Sequence, residues 1–295
     1  MRASLPLRLA VMSVTTLSVT GCTTSELSQP WQLDRLRVLG VQAEPAEPRP
    51  GDTVQFSSLV YIPADEPIDG ILWFACLPES ADDFGCVLET DIAALDAEDP
   101  ENNDFETLAE LGIIGFEPLV PPVWVTPEDA LDGFDEQAAQ EGVSALVNVA
   151  AFPEGAEEQT DLEISFKRVP ISLAPTPNEN PELVDVTIDG ASWNLDEVFV
   201  TNTGRAHTLE PILSEASIET YQFTTSEGVV EDRVEEPYFS FYVEAGSVDQ
   251  AFSLYPFNSI EWTAPDDPFE GLVVVTVRDR RGGMTWTSFR VQVVP

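Results

Sequence analysis

The sequence predicts an all-β protein of two consecutive β-sandwich domains, the first carrying a partly helical insertion. Three observations point there. From Leu33 onward the text is a series of short apolar runs bounded by Pro, Gly, Asp and Asn, which is the punctuation of strands and turns. The chain has 295 residues and is 43% hydrophobic, which is enough for about two domains with separate cores. Finally, Ala174 to Pro181 (APTPNENP) packs three Pro and two Asn into eight residues without an apolar period, so it reads as a linker.

In the first domain, residues 33–173, Leu36 to Ala43 (LRVLGVQA) is an opening strand, followed by the turn-rich Glu44 to Asp52. Thr53 to Ile62 follows, with Val54, Phe56, Ser58 and Val60 on one face. Ile71 to Cys76 (ILWFAC) is apolar on both faces, as a central strand should be, with Trp73 and Phe74 pointing into opposite layers. Residues 78–142 then turn acidic and carry helical signals, so they read as an insertion. Asp104 is placed to cap a short helix ending at Gly112. Thr126-Pro127-Glu128-Asp129 has a capping Thr, Pro at the first helical position and acids in the first turn, and predicts a discontinuous helix toward Gln140. Val143 to Phe152 and Leu162 to Leu173 return to strand and close the sandwich.

The second domain, residues 182–295, offers seven candidate strands, from Leu183 to Ile188 through Met284 to Val294. Phe239, Phe241 and Val243 share one face, as do Phe289, Val291 and Val293. Asp279-Arg280-Arg281-Gly282-Gly283 forms a hairpin loop before the last strand. Seven short strands with turns every 8 to 12 residues suit an immunoglobulin-like sandwich. The ending, Trp262-Thr-Ala-Pro, then Leu272 to Asp279, then Gly282-Gly283-Met284-Thr285-Trp286, resembles the last strands of Ig-like or PKD-like domains in bacterial surface proteins. Leu36 to Val60 is similar to an opening strand pair of that class.

The N-terminus predicts a destination. Met1 to Arg8 holds Arg2 and Arg8 and no acid, and Leu9 to Thr20 is a short apolar run, too short to span a bilayer. It ends Val19-Thr20-Gly21-Cys22, which resembles the lipobox of bacterial lipoproteins. That resemblance implies removal of residues 1–21 as a signal peptide and lipidation of Cys22. Multiple acyl chains would anchor the mature protein in the membrane. Residues 22–32 then form a tether, and Thr23 rather than Asp after the lipidated Cys implies the outer membrane of a Gram-negative envelope.

Cys76 and Cys86 enclose a short loop in an exported chain, and an oxidising compartment favours a disulfide over free thiols or a metal site. The charge balance is extreme: 13 Lys and Arg against 53 acids, for a formal −40. That excludes ordinary nucleic-acid binding, which depends on cations replacing condensed counterions, and disfavours docking on an anionic lipid surface. No cofactor or metal motif is present. The single His207 and the single Lys167 leave little for nucleophilic or nucleotide chemistry, and His207 reads as an exposed or hydrogen-bonded loop residue. The acidic cluster Asp91, Asp96, Glu98, Asp99, Glu101 and Asp104 lacks the spacing of a calcium loop. Trp124, in the Pro-rich stretch Pro121 to Val125, is the candidate contact for a partner.

These observations predict a lipid-anchored envelope protein with no catalytic residue, acting as a binding or assembly module for an envelope protein or glycan. Two alternatives stay open at this stage: a carboxylate-based carbohydrate hydrolase, which needs only a pair among many acids, and a calcium-stiffened surface adhesin.

Overall fold

A computed structural model describes residues 28–77, 81–82, 85–86, 112–156, 161–225 and 227–295, without the side chains of 81–82 and 85–86. The fold is all-β, as two Ig-like sandwiches. In the first, the strands are β1 (Arg37–Glu44), β2 (Thr53–Tyr61), β3 (Ile68–Cys76), β4 (Ala81–Asp82), β5 (Gly85–Cys86), β6 (Ile113–Glu117) and β7 (Val123–Val125). Helix α1 (Glu136–Glu141) then precedes β8 (Val143–Pro153) and β9 (Glu163–Ile171). A three-stranded sheet, β1-β2-β7, faces a four-stranded one, β6-β3-β8-β9, and every pairing is antiparallel. The alternation that marked β2 as a strand puts Val54 and Phe56 inward, where they meet Trp73, Val147, Val149 and Val169 of the opposite sheet. Trp73 is fully buried and its indole N–H donates to Glu117 Oε2 at 3.0 Å.

Two expectations change here. Residues 112–125, placed by sequence inside the insertion, supply β6 and β7, which complete the two sheets. The helix expected from Thr126 is replaced by turns up to α1, which is capped by Asp135 through the Ala138 N–H. Thr126 is buried and spends its hydroxyl on the carbonyls of Arg49 and Asp52. Gly133, at φ 86°, takes a conformation outside the helical region. The helix expected at Asp104 to Leu111 lies outside the described residues, as does the acidic cluster from Asp91 to Asp104.

The second sandwich contains β10 (Leu183–Ile188), β11 (Ala191–Ser192), β12 (Phe199–Asn202), β13 (Ala206–Leu213), β14 (Thr220–Thr224), β15 (Val230–Val234) and β16 (Tyr238–Val243). After these come β17 (Ser247–Val248), β18 (Phe252–Leu254), β19 (Ile260–Thr263), β20 (Phe269–Arg278) and β21 (Met284–Val294). Sheet β11-β10-β13-β19-β17 faces sheet β12-β21-β20-β16-β18, and β14-β15 is a separate hairpin. Between the sheets lie Leu209, Ile260 and Trp262 from one side and Phe239, Phe241, Val275 and Phe289 from the other.

The two sandwiches meet along a continuous junction. Leu33, Leu39 and Val274 form a small buried cluster with Leu59, Tyr61, Tyr242 and Leu272. Gln32, placed in the tether by sequence, makes a parallel bridge to Val243, and Trp31 packs against the second core. The chain therefore touches the second sandwich before it enters the first. The Pro/Asn segment between the domains is pinned rather than loose. Asn180 donates to the Ala43 carbonyl at 2.7 Å and accepts the Met284 N–H at 2.9 Å.

Candidate functional site

Of the residues singled out by sequence, Cys22 lies outside the described region. Cys76 ends β3, and the Cys86 backbone forms β5, whose side chains are not described. Trp124 sits at the middle of β7, paired with Val54 of β2. It is half-buried and packs against two apolar clusters, one centred on Trp73 and one on Ala130, Ala145 and Ile171. On this edge strand it is the neighbours Val123 and Val125 that turn outward.

His207 departs furthest from expectation. It is on β13, not in a loop, and only 3% exposed. Its Nδ1 is 2.8 Å from Asp189 Oδ2, and its Nε2 is 2.6 Å from Thr201 Oγ1. The order hydroxyl, imidazole, carboxylate is that of a nucleophilic triad. Here, however, Thr201 is itself buried, Phe199 meets the imidazole edge-on at 4.9 Å, and Trp262 stacks on it at 6.0 Å. Packing takes the place of a substrate approach, and the relay instead joins β13 in one sheet to β12 in the other. The His207 bond and the Thr208 N–H hold the Asp189 carboxyl below the usual carboxylate range.

A second polar assembly lies at the domain junction. Arg281, in the loop between β20 and β21, is 2.9 Å from both Glu219 and Glu235 at the base of the β14-β15 hairpin, and 3.5 Å from Glu47 of the first sandwich. Its guanidinium lies 4.5 Å from the centre of the Tyr221 ring. Asp279 accepts the N–H groups of Arg281, Gly282 and Gly283 on one oxygen and Asn178 on the other. One guanidinium thus serves three glutamates. Burial, with the Asp279 charge adding to it, pushes the Glu235 carboxyl up to about 7 despite its bond to Arg281. Nothing in the sequence placed these groups together, since they come from four distant segments.

A large exposed apolar surface lies on β18, which is the last strand of its sheet among the described residues. Phe252 is 57% and Phe257 82% exposed, with Leu254 and Tyr255 exposed between them. Their backbone is well fixed: Phe257 N–H donates to Leu254 O at 2.7 Å, Ser253 Oγ to Asn258 O at 3.0 Å, and Tyr255 N–H to Pro237 O at 2.9 Å. Because alternate residues of an antiparallel strand face the neighbour, Phe252 and Leu254 turn their backbone groups away from β16; Phe257 bridges Leu254 on that side, which leaves those of Phe252 facing outward. The signal was readable, since Phe252, Leu254 and Phe257 fall between two strands predicted to bury their own apolar faces. Among the described residues, no group of three or more acidic, His or Cys side chains is arranged to hold a metal ion.

No family model matches the chain, and no curated protein matches it. Solved structures similar to it include the fibronectin(III)-like modules of Clostridium thermocellum CbhA, at 11% identity and TM-score 0.23, covering 86% of this chain and 94% of that one. The two tandem V-type regions of VCBP3, a v-region-containing chitin binding protein, align at 12% identity and TM-score 0.29 over 88% of this chain and 100% of theirs. Murine CEACAM1b aligns at 7% identity and TM-score 0.23, covering 88% and 100%. At these scores the likenesses carry no argument about function.

Proposed function

We propose that this protein is a lipid-anchored, non-enzymatic binding module of the cell envelope, held at the outer membrane through Cys22. The observation that carries the binding role is the exposed aromatic edge at β18, where Phe252, Leu254, Tyr255 and Phe257 face outward from a fixed backbone. A contiguous exposed apolar patch of this kind marks an interaction site. The outward backbone groups of Phe252 beside it suit an extended segment of another envelope protein, joined by strand addition. The Val123 and Val125 side chains flanking Trp124 form a lesser outward face at the other sandwich.

A Cys76–Cys86 disulfide belongs to the same reading, because an exported protein meets an oxidising compartment. The Gly85–Cys86 strand runs beside β3 and β8, which supports the pairing. Non-reducing peptide mapping is expected to recover the linked pair.

The deciding experiment places a photocrosslinker at position 257 of the full chain in intact envelopes. A discrete protein adduct is expected, weakened at least ~10-fold by Phe252→Asp and unchanged by Trp124→Ala. The absence of an adduct, or glycan capture abolished only by Trp124→Ala, would move the binding face to β7. In the same cells Cys22→Ser should release the protein from the membrane fraction, and retention there would refute the anchor.

A further inference from the structure

We propose that the cleft between β9 of the first sandwich and the β20-β21 loop of the second is a binding site for a small, multiply charged oxyanion of the phosphate class. Lys167, Arg168, Arg278 and Arg280 line this cleft, and no acidic residue does. In a chain of formal charge −40 with 13 basic residues, four of them border one space of about 320 Å³. A diffusing anion is repelled by most of this molecule and attracted here.

The cations are largely uncommitted. Among the described residues Lys167 and Arg168 form no ion pair. Arg280 pairs only with Glu236, at 3.7 Å and with both side chains more than half exposed, an arrangement that contributes little. Arg278 donates to the Leu39 carbonyl and to Thr276 Oγ1, and lies 5.6 Å from the centre of the Tyr238 ring, so it is held in place without being neutralised. Lys167 donates one hydrogen to the Gly282 carbonyl and keeps two. The nearest buried carboxylate, Asp279, is occupied by three backbone N–H groups and Asn178. Burial pulls the Lys167 ammonium down to about 8, with the Asp279 charge opposing and Arg278 adding to the shift, and an arriving anion relieves that cost.

Size and chemistry narrow the ligand. At ~30 Å³ per water, the cleft holds about ten small groups, which suits a pyrophosphate or a phosphorylated headgroup and excludes a folded partner. Guanidinium forks grip phosphate oxygens in pairs, and the half-buried wall supplied by Tyr238 strengthens those contacts. The inference is independent of the lipid anchor and of the β18 edge.

Calorimetric titration of the full-length protein tests it, with inorganic pyrophosphate standing for a free oxyanion and glycerol 3-phosphate for a lipid headgroup. Saturable binding with Kd below about 1 mM is expected for at least one, and the tighter of the two identifies the source. Arg168→Gln and Arg280→Gln, both at exposed side chains, should each weaken it ~10-fold or more, while Arg205→Gln leaves it unchanged. Lys167→Gln provides a further variant, with its fold checked by circular dichroism. The site does not exist if neither anion binds up to about 10 mM, or if binding persists undiminished in the Arg168 and Arg280 variants.

Discussion

His207 shows how one side chain serves both sheets of a sandwich. Its ring nitrogens reach Asp189 and Thr201, and its faces are covered by Trp262 and Phe199. Replacing it with Ala removes one buried and one part-buried hydrogen bond and leaves a cavity between aromatic rings, so His207→Ala should cost about 3 kcal/mol in urea unfolding. A loss below ~1 kcal/mol would mean that the relay is not structural. The Asp189 carboxyl is depressed in the fold, so its contribution is present at neutral pH and is lost as pH falls below its ordinary value of 3.8. Asp189→Asn should accordingly flatten the acid limb of the stability profile.

At the scale of elements, the β14-β15 hairpin is a two-stranded ribbon among the described residues, and such ribbons are marginal alone. Its base is tied down by Arg281, which Glu219 and Glu235 grip from the hairpin and Glu47 from the first sandwich. Glu235 is raised from 4.5 to about 7, so the fold favours its protonated form. That contribution is fully present below about pH 4.5 and is lost as pH rises through about 7. Glu235→Gln should therefore remove a downward slope in stability over that window and leave the variant more stable at pH 8, by roughly 3 kcal/mol at most. An unchanged slope in the variant would show that another group titrates there.

For the whole molecule, the junction makes two sandwiches behave as one. Trp31 packs on the second core, the Leu33 N–H donates to the Val243 carbonyl and the Val243 N–H to the Trp31 carbonyl, and Asn178 and Asn180 hold the intervening segment. The full chain should melt in one transition by calorimetry. Residues 182–295 expressed alone should still form β-structure, because their core is their own, but melt at least ~5 °C lower once the cover over Val274 is gone. Two separated transitions in the full chain would show that the junction is only a contact.

The sequence by itself determined the class and most of the strands. β10 and β21 occupy Leu183–Ile188 and Met284–Val294 as their alternation required. β13 escaped notice because Thr203-Gly204-Arg205 before it and Pro211 within it read as loop, although His207, Leu209 and Pro211 alternate inward. Residues 112–125 were masked in the same way by acidic neighbours and Pro. The exposed face of β18 was visible as unassigned aromatics, but its edge position was not. Only the tertiary structure decided which charges meet. Lys167 reaches Gly282 across 115 positions, Arg278 reaches Leu39 across 239, and Arg281 gathers Glu47, Glu219 and Glu235. Strand period is written in residues two apart and survives in any reading of the chain. Convergence of charge depends on the register and docking of strands hundreds of residues apart, and no local pattern records it.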